Sequence, residues 1–116
     1  MNICALVNLS NWKKQKDILL ELHREYGINT TDRKWRHEVA KWNKRFELHE
    51  VPYYITHSSK YGFKATTDYE EAQLGKNDDL KRIISLAKKI RSCDKAFGNL
   101  KNYRIDFEKG EIICDL

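Results

Sequence analysis

The side chains whose types and spacing most clearly indicate a chemical role are cations, and they are concentrated between residues 31 and 45. That stretch holds six Lys and Arg residues against two acidic ones, a local charge of +4, whereas the whole chain of 116 residues carries a net charge of +5. Guanidinium and ammonium groups bind phosphate, so the concentration indicates a polyanionic partner such as nucleic acid. The candidate DNA-binding residues in this stretch are Arg33, Lys34, Arg36, His37, Lys41 and Lys44.

The other chemically versatile side chains do not form a recognised site. None of the four histidines stands at HxxxH spacing, and no cysteine or carboxylate completes a ligand set around them. The acidic segment 68–71 fits helix capping better than metal binding. The sequence contains no GxxxxGK[ST], GxGxxG or GxSxG motif. We therefore expect no catalytic residues, no metal site and no cofactor.

Cysteine usage and hydropathy limit the cellular location. Three cysteines, an odd number without a CxxC pair, argue against a disulfide framework and favour a reducing cytoplasm. The apolar run at residues 3–9 is too short to span a membrane and lacks the basic region and cleavage site of a signal peptide. The sequence thus predicts a cytoplasmic protein with no membrane partner. Cys93 is expected to pack in the core or at its edge.

The cations lie in a segment with strong helical periodicity. Its apolar residues are Trp35, Val39, Trp42 and Phe46. They recur at i, i+4, i+7 and i+11, so they fall within a wedge of about 60° on a helical wheel. A threonine at position 30 or 31 can cap the start of this helix. The opposite face carries the cations around Ala40, whose small side chain lets the backbone approach a partner closely.

A second amphipathic helix is predicted just before it, over residues 13–26. Ile18, Leu19, Leu22 and Tyr26 share one side, and Gly27 stands where a left-handed residue ends a helix. The apolar run at residues 2–9 is too short for periodicity to decide between helix and strand.

After Pro52 the pattern becomes that of strands. Residues 53–56 and 63–66 favour β structure, with a turn from Ser58 to Gly62 between them. Residues 67–70 match a capping box, which indicates that the chain re-enters a helix there. Residues 77–79 are then predicted to cap a long helix that ends at Gly98. Apolar residues then alternate over 103–107 and 112–116 on either side of Gly110, which predicts a C-terminal hairpin.

The order of these elements predicts the fold. A helix, a glycine turn, a basic amphipathic helix and a hairpin follow one another as in a winged helix-turn-helix. The predicted class is therefore α+β, a winged helix-turn-helix with an additional C-terminal helix and β-hairpin. The length suits a single domain over residues 1–116, with its core at about 13–66 and the additional helix and hairpin at 77–116.

Four short motifs follow one another between residues 31 and 71. They are Thr31-Asp32-Arg33-Lys34-Trp35-Arg36 followed by Val39, Tyr54-Ile55-Thr56-His57-Ser58, Gly62-Phe63, and Asp68-Tyr69-Glu70-Glu71. Their order resembles winged-helix proteins encoded by bacteriophages and prophages of Gram-positive bacteria. In that group D-R-x-x-R opens the recognition helix, an apolar-Ile-x-x-Ser strand and a Gly-aromatic strand form the wing, and an E-E segment leads into a helix. The resemblance extends over about residues 13–92.

The resemblance implies sequence-dependent binding of double-stranded DNA by a phage regulator or replication-associated protein in the cytoplasm of a bacterial host. By motif match, Arg33 and Arg36 are the principal DNA contacts, and Lys60 and Lys64 are contacts at the wing. A second basic cluster, Lys88, Lys89 and Arg91, is either a solvated helix face or a flanking phosphate contact.

A second hypothesis belongs to a different class. In this hypothesis the winged helix is a scaffold with which a phage protein binds and inhibits a host protein, since phages reuse this fold for that purpose. The acidic residues of segment 47–50 are unfavourable near phosphate, and a minimal DNA reader does not need the C-terminal hairpin. The open strand edges of that hairpin also leave room for a homodimer.

Overall fold

Four helices and two antiparallel hairpins make up residues 3–115, the part of the chain that the computed structural model describes. In chain order they are α1 (Ile3–Leu6), α2 (Gln15–Tyr26), α3 (Asp32–Leu48), β1 (Tyr54–Ser58), β2 (Gly62–Thr66), α4 (Tyr69–Ala96), β3 (Asn102–Asp106) and β4 (Glu111–Asp115). The predicted α+β class is confirmed. Of the run at residues 2–9, residues 3–6 are helical, and Asn2 lies outside the described residues.

Local signals in the sequence set the ends of α2 and α3. Gly27 adopts a φ of 65°, and its N–H donates to the His23 carbonyl at 3.1 Å. Glycine takes this left-handed conformation without strain, so it ends α2 as predicted. Thr31 caps α3, because its Oγ1 accepts the Lys34 N–H at 3.2 Å.

The β1–β2 hairpin is joined to the segment that precedes α2. Lys13 and Phe63 exchange two backbone hydrogen bonds of 2.8 and 2.9 Å, and the Leu9 carbonyl accepts the Ala65 N–H at 2.9 Å. Gly62 has a φ of 96°, and a Cβ there would lie 2.3 Å from the Lys13 carbonyl oxygen. A glycine is therefore required at this close approach of two backbones.

Helix α4 begins at Tyr69, directly after Asp68 of the predicted capping box, so the predicted return to helix at residues 67–70 is confirmed. It continues without a break through residues 77–79, so the separate helix cap predicted there is wrong. Residues 70–76 contain no proline and no β-branched side chain that would interrupt it. The cap is Asp68 and not Thr67, because the Asp68 Oδ1 accepts the Glu70 N–H at 2.9 Å.

The predicted end of α4 is confirmed. The helix stops at Ala96, and Gly98 follows with a φ of 67° and an N–H that donates to the Lys95 carbonyl at 3.0 Å. Near its start, α4 packs closely on β1 at Gly75, where a Cβ would lie 2.4 Å from the His57 carbonyl oxygen. The glycine in the helix interior is thus explained by packing.

The core joins the first three helices to the β1–β2 hairpin. Ile18, Leu22 and Trp35 have no exposed surface, and the Trp35 ring meets the Phe63 ring edge-on with centroids 5.6 Å apart. Val39 is also buried, while Trp42 and Phe46 are half-buried against this core, which confirms the predicted apolar wedge. Tyr26, predicted on the apolar side of α2, is 47% exposed instead, and its hydroxyl donates to the Leu6 carbonyl at 3.1 Å.

The chain divides into two compact units, one ending at Asp79 and the other beginning at Leu80. The second unit holds the rest of α4 and the β3–β4 hairpin, which confirms the predicted C-terminal hairpin. Leu116, the last residue of the predicted alternation, lies outside the described residues. Over residues 3–115, no helix is both long enough and apolar enough to cross a membrane.

Candidate nucleic-acid interface

Helix α3 presents opposite faces to the core and to solvent. Trp35 and Val39 lie in the core, and Ala40 is exposed on the other side. The predicted site residues on this helix are all exposed: Arg33, Lys34, Arg36, His37, Lys41 and Lys44. The helical period thus brings the candidate residues together on one solvent-facing surface, which we call the cationic face.

The side chains of the cationic face differ in the contacts that they make within the protein. Within residues 3–115, the side chains of Arg33, Lys34 and Lys44 make no ion pair. Arg36 folds back along the helix, and its Nε donates to the Asp32 carbonyl at 3.3 Å. Lys41 Nζ lies 3.7 Å from a Glu38 carboxylate oxygen. An exposed pair of this kind contributes little, so Lys41 remains available to a polyanion.

A surface pocket follows the same side of α3. Its lining residues are His37, Glu38, Ala40, Lys41, Trp42, Lys44 and Arg45. Arg45 was not among the predicted site residues, although it belongs to the same cationic stretch of sequence. Its guanidinium carbon lies 5.3 Å from the centre of the Trp42 ring, a cation–π contact that holds the arginine beside this pocket.

Asn43 fixes α3 to the hairpin, although it is not among the predicted site residues. Its Nδ2 donates to the Ile55 carbonyl at 2.9 Å, and its Oδ1 accepts the Ile55 N–H at 2.8 Å. Both backbone groups belong to the edge of β1 that does not pair with β2 at this residue. The signal in the sequence was its position: Asn43 is an amide side chain next to the apolar wedge, where a side chain is partly buried and needs hydrogen-bond partners.

The tip of the β1–β2 hairpin is held through its backbone. The Ser58 Oγ accepts the N–H groups of Lys60 and Tyr61 at 3.2 and 3.3 Å. The Asp78 Oδ2 accepts the Ser59 N–H at 2.8 Å, so the residue predicted to cap a helix fixes the hairpin turn instead. Lys60 is exposed at this tip, with its ammonium 5.2 Å from the centre of the Tyr61 ring.

Lys64, the second cation predicted at the wing, has a partner inside the protein. Its Nζ forms an ion pair with Glu71 of α4, and the other Glu71 oxygen accepts the Thr66 hydroxyl at 2.7 Å. The hydrogen bonds from Lys64 and then Thr66 hold the pKa of Glu71 below its ordinary value of 4.5. Lys64 therefore joins the hairpin to α4, a role that the sequence did not indicate.

The remaining candidate groups are metal ligands and cysteine thiols. Within the described residues, no group of three or more His, Cys, Asp or Glu side chains could hold a metal ion. Burial, together with the nearby Glu38 charge, raises the pKa of the Cys4 thiol to about 12, so this thiol stays protonated. Cys93 is exposed, which corrects its predicted place in or beside the core; it lies on the part of α4 beyond residue 80, where no side chain is buried.

The site thus consists of a cationic face on one helix beside a hairpin that Asn43 holds to that helix. Comparison of the chain with protein-family models, curated proteins and solved structures finds no match.

Proposed function

We propose that this protein is a winged helix-turn-helix that binds double-stranded DNA, with α3 as its recognition helix and the β1–β2 hairpin as its wing. The observation that carries the proposal is the exposed cationic face of α3 opposite buried Trp35 and Val39. A recognition helix needs an apolar side for docking and a polar side that reaches phosphates and base edges. The order of α2, glycine turn, α3 and hairpin supports the same fold.

The cationic face supplies the chemistry of the proposed contact. Arg33, Arg36 and His37 lie in the first turns of α3, the part of a recognition helix that meets base edges. Arginine pairs with two acceptors of guanine, and Lys41 and Lys44 further along the helix neutralise phosphates. The small Ala40 side chain allows the helix to approach the groove floor.

The wing contributes less charge than its sequence suggests. Lys60 at the hairpin tip is exposed and reaches the neighbouring DNA backbone in this proposal. Lys64 is half-buried and paired with Glu71, so we assign it the role of fixing the hairpin on α4. Lys34, exposed in the first turn of α3, adds a phosphate contact.

We further propose a non-catalytic role in the regulation or replication of a mobile element, in the cytoplasm of a bacterial host. The support is the motif order that resembles phage winged-helix proteins. Its four motifs lie at the start of α3, on β1, at the start of β2, and at the start of α4. These are the elements on which that group carries them.

The proposal is tested by titrating a labelled duplex pool of random sequence at low salt and reading fluorescence anisotropy. We expect binding that weakens steeply with salt, because each neutralised phosphate adds about −0.9 to the slope of log K against log salt. Arg33→Ala with Arg36→Ala should weaken binding by about 10- to 100-fold or more, because it removes the proposed base contacts, and should leave the melting temperature unchanged.

The matched control is Lys101→Ala with Lys109→Ala, which removes the same charge from exposed positions in the second unit. This pair should bind DNA almost as the unmodified protein does. Absence of binding to any duplex at low salt, or equal losses from both double variants, would contradict the assignment of α3 as the reading helix.

One observation favours the alternative of a protein-binding scaffold. Leu48 at the end of α3 is 70% exposed and lies between the acidic residues Glu47 and Glu50, a surface suited to a protein rather than to phosphate. Affinity capture from host lysate with nuclease present separates the two functions. A stoichiometric protein partner that is lost in Leu48→Glu, together with no duplex binding, would favour the scaffold.

A further inference from the structure

The described residues of the second unit form no apolar core. From residue 80 onward, no side chain that the structure describes is buried, and only Asp94, Asp106 and Ile113 are half-buried. The large exposed apolar side chains of this unit range from Leu80 at 45% exposure to Phe107 at 86%. A two-stranded hairpin and one helix are marginal in water without apolar burial, so this surface needs a covering partner.

The spacing of the exposed residues on α4 suits a second helix. Leu80, Ala87 and the half-buried Asp94 repeat every seven residues. Three positions later, so do Ile83, Ile90 and Phe97, the last of which directly follows the end of α4. This is the a/d pattern of a helix–helix seam, and Ile84 widens it on one side. Asp94 also lies in this seam. Its carboxylate has a hydrogen-bond partner in its own chain, because its Oδ2 accepts the Tyr103 hydroxyl at 2.7 Å.

The charges on α4 are compatible with a partner identical to itself. Lys81, Lys88 and Lys95 occupy the b positions of the same heptad, and Arg82 and Lys89 occupy c positions. These positions lie about 130° of helix rotation from the seam, so two copies would not bring them together. Arg91 is the one cation beside the seam among the described residues 80–96.

The exposed area is also sufficient for a dimer. Aromatic side chains bury about 150–250 Å² each, and Phe97 and Phe107 are 82% and 86% exposed. Together with the aliphatic side chains, the apolar residues of the second unit expose on the order of 1,000 Å² per copy, above the roughly 800 Å² per partner of a standard interface. Ile105, Phe107 and Ile112 of the hairpin extend the surface beyond the helix.

We propose that residues 80–115 form a self-association surface, which pairs with the same unit of a second copy of this chain. The pairing is isologous, with the α4 stripe and the apolar side chains of the hairpin covered by their counterparts. The basic b and c positions of α4 stay outward. The inference goes beyond DNA binding and does not depend on it.

Sedimentation equilibrium of the full chain, from nanomolar to high micromolar concentration, tests the proposal. We expect a mass near twice 13.8 kDa. Ile83→Glu with Ile90→Glu places charges in the seam and should raise the dimer dissociation constant by about 100-fold or more. Ser85→Glu with Ser92→Glu is the matched control, because it adds the same charge seven residues apart at exposed f positions and should leave the dimer intact.

Alanine favours the helical conformation, so Ile83→Ala with Ile90→Ala should still fold. This variant should weaken the dimer by about 10-fold, which distinguishes loss of the interface from failure to fold. A chain that remains at 13.8 kDa at every concentration overturns the proposal. Equal dissociation in the seam and control variants overturns it too. A monomer that sediments with phosphatidylserine vesicles would assign the surface to lipid and reject self-association.

Discussion

Asn43 connects the proposed reading helix to the hairpin through one side chain. Its two hydrogen bonds satisfy both backbone groups of Ile55, a residue that is buried. We predict that Asn43→Ala lowers the free energy of unfolding by about 2 kcal/mol, because it leaves a buried N–H and carbonyl without partners. Denaturant unfolding followed by tryptophan fluorescence measures the loss.

Lys44→Ala is the control for Asn43, since it changes an exposed neighbour on the same helix and should alter stability by less than about 0.5 kcal/mol. If the two variants were equally stable, the amide would not be holding α3 to β1.

Glu71 makes the stability of the protein depend on pH. Because Lys64 and Thr66 lower its pKa in the folded state, the contribution of Glu71 is present above the unfolded value of 4.5 and is lost as the pH falls through the folded value. Glu71→Gln should therefore be less stable than the unmodified protein at pH 7, and the two should converge at acidic pH. Denaturant unfolding at a series of pH values gives the comparison.

Glu70→Gln serves as the control for Glu71, since Glu70 is exposed one position earlier in α4. Its stability should follow that of the unmodified protein at each pH. Parallel curves for Glu71→Gln and the unmodified protein would mean that the ion pair with Lys64 does not stabilise the fold.

For single side chains, the sequence predicts contacts with nearby backbone groups but not contacts with other elements. Thr31 and Gly27 act on backbone groups within a few positions of themselves, so their capping roles were predictable from local spacing. Asn43 and Glu71 act on partners in other elements. Periodicity predicts the face on which a residue lies, but not the strand that will pass in front of that face.

At the scale of elements, α4 shows how packing overrides local preference. Alanine normally stabilises a helix interior relative to glycine by about 1 kcal/mol. At Gly75, however, a Cβ would lie 2.4 Å from the His57 carbonyl oxygen and 2.5 Å from the Thr56 Oγ1. We predict that Gly75→Ala destabilises the protein by about 1–3 kcal/mol, because the helix must move away from β1. Thermal unfolding followed by circular dichroism measures it.

Ser85→Ala provides the contrast for Gly75, because Ser85 is exposed on the same helix and its replacement should be neutral or slightly stabilising. A stabilising Gly75→Ala would show that α4 does not approach β1 as closely as described.

The separate helix cap predicted at residues 77–79 is wrong for a related reason. A run of Asn and Asp favours a helix cap, and residues 77–79 have that composition. In the structure Asp78 accepts the Ser59 N–H of the hairpin turn, so its carboxylate meets a donor from another element. Composition identifies an acceptor side chain, and only the fold decides which donor it receives.

At the scale of the whole molecule, both units carry basic charge, and they differ in apolar burial. Residues 31–45 carry +4 within the unit that ends at Asp79, and the nine Lys and Arg residues against five acidic ones from Leu80 onward also give +4. Among the described residues, only the first unit buries apolar side chains. The sequence predicted both the basic helix and the C-terminal hairpin. It did not predict that the second unit lacks a core, because alternation predicts which side chains share a face and not whether anything covers that face.

Together, the proposed DNA binding by α3 and the proposed self-association through residues 80–115 predict two chains on one duplex. Helix-turn-helix dimers read two half-sites, and linking two weak contacts raises the overall affinity without a new contact. On a duplex selected from the random pool for tight binding, the unmodified protein should bind with two chains per duplex. Ile83→Glu with Ile90→Glu should bind the same duplex about 10- to 100-fold more weakly, yet match the unmodified protein on a single half-site.

Ser85→Glu with Ser92→Glu separates this effect from added negative charge, since it should retain tight binding and two chains per duplex. Analytical ultracentrifugation with a labelled duplex gives the stoichiometry, and anisotropy gives the affinity. Suppose the seam variant were monomeric and still bound the selected duplex as tightly as the unmodified protein. Self-association would then serve a purpose other than DNA recognition, because the gain in affinity from joining two reading helices would be missing.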